Sequence, residues 1–325
     1  MNPSADLYLR LSCSDLLESG FLRPISATVY ETDQHLIVIR RDRGLALRQP
    51  QKRLIYVIDD DLRGAIKDTR TPAAYRMKLL FAEWRDAARL ETRADLIVVT
   101  CDELHALYEG LFPQKHVVRL DPAWPVTKLP DPSTAPNIIH VALLMGASHA
   151  KDATQLYPVL DRLLVRFPQI RLTVSANLAV PRRWKSSKQV QIVPAMNWHD
   201  YHRWLPEQRF NLLLYPLLRG RGLNQARSMS KLGEAAQCGA ALFASASWQA
   251  GQKAVHERRC VGITDDPAQW EGEIADALTN PDRLRAIALR NRAALIAENQ
   301  PQKQRDFWNR VLNVPSRHPS RMAAE

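Results

Sequence analysis

Apolar positions in this chain gather in short unbroken runs rather than long alternations, the pattern of strands buried on both faces. In the first 120 residues these runs predict strands over 6–11, 35–40, 54–58, 96–100 and 116–120. Between the third and fourth, Tyr75, Leu79, Leu80, Trp84, Ala87, Ala88 and Leu90 make one stripe, which predicts a long helix over 73–93. The alternation restarts after residue 137, with strands over 138–144, 170–175, 190–193, 210–215, 240–244 and 261–264. Helices are predicted over 152–167 and 198–205, and two more within 267–299, parted at Asn280-Pro281. Strands separated by helices argue for parallel, doubly wound sheets, whose functional groups lie at the C-terminal ends of the strands.

Residues 121–136 read D-P-A-W-P-V-T-K-L-P-D-P-S-T-A-P, and five prolines in sixteen positions exclude both helix and interior strand. That stretch divides the chain into an N-terminal domain over 1–120 and a C-terminal domain over 137–300, both Rossmann-like. A helix over 301–312 is expected to cross back to the first domain, and 313–325 to form a disordered tail. The 325 residues are ample for two domains, and 46% hydrophobic with 24% charged content describes a soluble globular protein. There is no apolar run of transmembrane length and no signal-like start, and the four cysteines, Cys13, Cys101, Cys238 and Cys260, show no metal-ligand spacing. A cytoplasmic protein with reduced thiols is expected.

A formal charge of +11 attracts anions: nucleic acid, an anionic membrane surface or phosphorylated small molecules. Trp184 among the cations of 181–188 would suit base stacking, but the chain holds no recognisable nucleic-acid-binding motif, so nucleic acid is not expected as a partner. Peripheral contact with acidic lipid at the inner membrane surface fits the charge better.

The most informative stretch is 224–244, N-Q-A-R-S-M-S-K-L-G-E-A-A-Q-C-G-A-A-L-F-A. Ser228 and Ser230 offer N-cap oxygens, the run after them favours helix, and Gly239 suits the left-handed residue that ends one. Lys231 and Glu234 then share one side of a helix start. Phosphate is drawn to the helix N-terminus and to the lysine, while a carboxylate one turn on can accept hydrogen bonds from a ribose diol. The same spacing also fits an ordinary exposed ion pair.

N-x-x-R-S-x-x-K-x-x-E-x-x-x-x-G followed by a strand resembles the donor-site segment of GT-B glycosyltransferases, in particular the large retaining family that uses nucleotide sugars. Residues 141–164 resemble the first strand, glycine loop and helix of that family's C-terminal domain, and 56–62, Y-V-I-D-D-D-L, an acidic loop of a bacterial polysaccharide-building branch. The resemblance implies two domains facing across a cleft. The second would bind a nucleotide-diphosphate sugar through Asn224, Arg227, Ser228, Lys231 and Glu234, and the first would offer a glycan or lipid-linked acceptor. It further implies retention of anomeric configuration, no bound metal, and no cofactor beyond the donor substrate. One departure stands out: Ala226 occupies the place of the first glutamate of the family's Glu-x7-Glu pair, leaving Asn224 or Gln225 as the nearest polar substitutes.

Three other groups are candidates. In the turn after the first strand of the second domain, Gly146 lets backbone approach a phosphate, Ser148 can donate a hydrogen bond and Lys151 can reach a pyrophosphate; His149 is either a catalytic group or a capping histidine. Arg219 and Arg221 flank glycines just before Asn224 and suit neutralisation of a diphosphate leaving group, or a plain solvent turn. Asp59, Asp60 and Asp61 follow a strand. On extended backbone Asp59 and Asp61 point the same way, as a base for the acceptor hydroxyl or as metal ligands, and a capped acidic turn is the alternative. Besides a transferase, the chain fits a non-catalytic scaffold of this fold or a metal-dependent transferase using Asp59 and Asp61.

Overall fold

The computed structural model describes residues 2–42, 44–71, 73–132, 138–220 and 222–314. Arg221 and the tail from 315 onward lie outside them.

Among the described residues, twelve strands form two sheets of six. The first runs in chain order: β1 (Arg23–Pro24), β2 (Val29–Glu31), β3 (His35–Ile39), β4 (Arg53–Ile58), β5 (Leu96–Val99) and β6 (His116–Arg119). β3 to β6 are parallel, with Ile37 opposite Ile55 and Ile55 opposite Leu96, while β1 and β2 add an antiparallel edge that the apolar runs did not predict. Each inner strand is buried on both faces. The crossover helices, including the continuous run 73–93, cover one face through Leu90, Leu104 and Tyr108.

The chain's two ends cover the other face. Residues 6–11 are therefore helical, not the strand that their apolar run predicts. Asn2 caps Pro3–Ala5 by accepting from the Ser4 and Ala5 N–H groups, and Asp6–Arg10 continues as a wide turn in which Leu11 N–H reaches the Asp6 carbonyl at 3.1 Å. Every residue from Ala5 to Leu9 is buried. The C-terminal helix Gln300–Val311 lies against this segment. Its fully buried Gln304 accepts from Ser12 Oγ (2.8 Å) and donates to the carbonyls of Leu7 (2.8 Å) and Asp121 (2.5 Å), and Trp308 Nε1 donates to Tyr8 O (2.8 Å).

The second sheet is wholly parallel, in the order β12-β11-β10-β7-β8-β9: β7 (Ile139–Leu143), β8 (Ile170–Ser175), β9 (Val190–Val193), β10 (Leu212–Tyr215), β11 (Ala241–Ser245) and β12 (Val261–Ile263). Winding proceeds outward in both directions from the β7–β10 pair, which makes the loops after these two strands the rims of a crevice. The helix Ser230–Gln237 packs beside it. Gly239, at φ +71°, ends that helix, and the Ala240 N–H closes back on the Ala235 carbonyl at 2.9 Å.

At the junction of the domains, the linker residue Trp124 stacks on His202 (5.7 Å) and meets Trp198 edge-on (5.8 Å), and Trp198 Nε1 reaches across to Asp6 at 2.7 Å. Gly233 makes this contact possible. A Cβ there would stand 1.9 Å from Trp124 Cδ1. Gly233→Ala is accordingly expected to lower stability by about 1–3 kcal/mol, as overpacking against a ring held by neighbours does. Urea unfolding checks this; an unchanged midpoint would mean that the indole moves aside freely.

Candidate active site between the two domains

The sheets present the C-terminal ends of β4, β7 and β10 to a cleft of about 640 Å³. From the second domain come Gly146, Ser148, His149, Tyr215, Arg227, Ser228, Lys231 and Glu234; from the first come Tyr8, Arg40, Asp59, Asp60, Tyr75 and Glu83.

Lys231 stands in the first turn of Ser230–Gln237. Its ammonium donates to both oxygens of Glu234 (2.8 Å each) and to the carbonyl of Leu144 just past β7 (3.1 Å), and lies 5.1 Å over the Tyr215 ring. Tyr201 donates to the same Glu234 carboxylate at 2.6 Å, and burial, then Glu234, push its hydroxyl pKa upward. The lysine and glutamate are thus partners of each other. Both side chains remain only about a tenth exposed, at 11% and 12%, so the pair keeps a cation and a carboxylate in place at the helix start without solvent screening them fully. Met229 occupies the N-cap position without a side-chain bond and Ser230 is the first helical residue; of the two predicted serines, Ser228 accepts from the Ser230 N–H through Oγ at 3.4 Å and lines the cleft.

His149 donates or accepts through Nδ1 at 2.8 Å from Asp152 Oδ2. Burial, then the nearby Arg227, lower its pKa from 6.5 to about 4, against the pull of Asp152. The ring is therefore neutral near pH 7, and its Nδ1–H tautomer on Asp152 leaves Nε2 as a proton acceptor. Asp152 is fully buried and also accepts from Leu218 N–H and Asn224 Nδ2, both at 2.9 Å. It ties the turn after β7 to the loop after β10.

Three other candidates, Lys151, Asn224 and Arg219, lie outside this cleft. Helical spacing turns Asp152 inward and leaves its neighbour Lys151 exposed outside the cleft lining. Asn224, 3% exposed, serves under the histidine rather than in the cleft, and exposed Arg219 contributes its carbonyl to Arg70 Nη1 (3.0 Å) across the domains.

On the first domain, Asp59 and Asp60 line the cleft, not Asp59 and Asp61. β4 ends at Ile58, so the extended alternation stops there. Asp61 caps the helix Leu62–Lys67, accepting from Gly64 N–H at 2.8 Å. Arg40, at φ +66° just past β3, gathers Asp60 (2.7 Å), Glu83 (3.1 Å) and Asp59 (3.4 Å), and Ser4 Oγ donates to Asp59. Arg227 bonds Asp60 across the cleft at 2.9 Å. Burial pushes Asp60 up, but Arg227 and Arg40 outweigh it and hold its carboxyl below the ordinary range; burial dominates at Asp59, aided by Asp60, and raises it.

Among the described residues no group of three His, Cys, Asp or Glu side chains is arranged to hold a metal ion. The two cleft carboxylates are occupied by guanidinium groups, and the pair expected to share a metal is split by the cap on Asp61. All four cysteines are buried, and burial pushes each thiol up to about 12, which leaves no activated thiolate. Ala226 is 3% exposed within a core cluster shared with β3 to β5, so position 226 offers the cleft no polar group. Arg40 and Tyr201 were not singled out as site residues from the sequence, and Asp60 was named only within the acidic turn; the left-handed backbone of Arg40 has no local signature.

Residues 156–309 match the family described as glycosyl transferase-like. Solved structures share the two-domain fold at low identity. Sucrose-phosphate synthase from Thermosynechococcus elongatus superposes with TM-score 0.57 and 16% identity over 84% of this chain and 71% of its own. Anabaena HepE, solved with UDP and glucose, gives 0.60 and 11% over 86% and 78%. The pneumococcal O-GlcNAc transferase GtfA, solved with UDP and GlcNAc, gives 0.56 and 12% over 90% of this chain, which spans 63% of that one. No curated protein matches in sequence. The chain has the two-domain GT-B fold of these structures, and its residues 156–309 are similar to the glycosyl transferase-like family.

Proposed function

We propose that the chain transfers a glycosyl group from a nucleoside-diphosphate sugar, bound on the second domain, to a hydroxyl of a glycan or lipid-linked acceptor offered by the first. The carrying observation is the placement of Lys231 on the first turn, and Glu234 one turn on, of a helix that opens into the interdomain cleft. A diphosphate arriving there meets the helix dipole and can draw the lysine away from Glu234. The freed carboxylate, still held by Tyr201, then accepts from the ribose diol. Arg227 adds a second cation as the leaving diphosphate gains charge.

His149 supplies a neutral acceptor, through Nε2, for a hydroxyl of donor or acceptor. Asp59 is the better first-domain candidate for handling the acceptor proton, because its raised pKa suits it to take one up. Retention of configuration and independence of bound metal complete the reading, on the family resemblance. A nucleotide-binding partner protein without turnover is the second reading, favoured by the apolar Ala226.

Thermal unfolding with UDP, GDP, dTDP, ADP or CMP, with and without EDTA, tests the donor site. One nucleotide at about 100 times its Kd is expected to add about 2.7 kcal/mol, to do so in EDTA, and to lose the effect in Glu234→Ala. If no nucleotide shifts the transition, the donor site as assigned is wrong. A shift without sugar release from any donor would favour the second reading.

A further inference from the structure

We propose that the exposed face of the helical run 73–93 docks the protein on an anionic lipid surface, with the cleft opening beside it. Three of the nine large apolar side chains left exposed among the described residues fall within five positions: Met77 (51%), Leu80 (38%) and Phe81 (66%). The helix already buries its other face through Leu79, Ala87 and Leu90. These three therefore do not serve the core.

The charge around them is net positive. Lys78, Arg85 and Arg89 are exposed on the same run. The carboxylates of the run turn inward or are paired: Glu83 goes to Arg40, Glu91 to Arg63, and Asp86 to Arg89. An apolar strip rimmed by cations, on a helix lying along the surface, matches the headgroup and acyl boundary of an acidic bilayer; a protein partner would need carboxylates placed to meet each cation. Among the described residues no helix is long and apolar enough to cross a membrane, so the contact is peripheral. Tyr75 and Lys78 also line the cleft, which puts its mouth next to the lipid.

Vesicle co-sedimentation of the full chain tests this, without donor or acceptor, so its outcome is separate from that of the transferase reading. Binding is expected to an equal mixture of phosphatidylcholine and phosphatidylglycerol, to weaken with salt, and to be absent with phosphatidylcholine alone. Met77→Ser with Phe81→Ser should weaken it by about tenfold or more, as should Lys78→Gln with Arg85→Gln. Val165→Ser, at the most exposed apolar residue of the second domain, should leave it unchanged. Circular dichroism melts confirm that each variant is folded. Equal binding by the Met77/Phe81 variant, or none by the wild type at low salt, would overturn the assignment. So would a wild-type dimer in solution that Phe81→Ser makes monomeric, since the face would then be a protein interface.

Discussion

Arg40→Met is expected to be the most damaging single change in the cleft, lowering the unfolding free energy by about 3–5 kcal/mol, the range for breaking a buried ion pair from one side. The arginine side chain is 21% exposed and bonds or faces Asp59, Asp60 and Glu83, themselves 14%, 11% and 8% exposed. Without it, among the described residues only Arg227 and Ser4 remain to satisfy three carboxylates in poor solvent contact. The folded pKa of Asp59, which burial already raises against Arg40, then rises further above its unfolded value. The folded state binds protons more readily, so the deficit is full above the raised value and shrinks as pH falls through it. In the wild type the sign at Asp60 is opposite: its lowered pKa stabilises the fold above the ordinary carboxylate range, and that contribution is lost as pH falls. Urea unfolding of both proteins at neutral pH and near pH 5 reads the difference. A loss below about 1 kcal/mol, typical of an exposed pair, would mean that water reaches the cluster and that Arg40 is not its organising cation.

Lys231→Gln is expected to lower kcat/KM for the nucleotide sugar by about 10²–10³, comparable with removal of one preorganised donor to a developing anion. The fall should sit mainly in kcat, because the leaving diphosphate gains charge only as the glycosidic bond breaks. Glu234→Gln should instead act mainly on KM, since a ribose contact is the same in ground and transition states. The two side chains bond each other in the resting protein, so the double variant should fall short of the sum of the single effects. Steady-state kinetics on the three variants decides this. If kcat survives in Lys231→Gln while stability drops, the lysine is a structural partner of Glu234 and Leu144 and the diphosphate is held elsewhere.

What could be read from the chain alone was whatever depends on neighbours in sequence. The parallel strands β3 to β12 are short apolar runs, the linker is set by proline, and Gly239 is needed for its left-handed turn. The position of Lys231 and Glu234 on one helix side follows from 3.6 residues per turn. Local rules fail where an element ends or where its surroundings decide. The run 6–11 is helical because the free face of the first sheet had to be covered, and the aspartate after β4 that faces the cleft changed because extended backbone gives way to a helix cap at Asp61. Lys151 lies outside the cleft because it is the next residue, Asp152, that turns inward to meet His149 and Asn224. The charge cluster that closes the cleft lay beyond sequence reading. Arg40 meets Asp60 across 20 residues because β3 and β4 lie side by side in one sheet, and Arg227 meets it across 167 because the two domains face each other; spacing along the chain reveals neither.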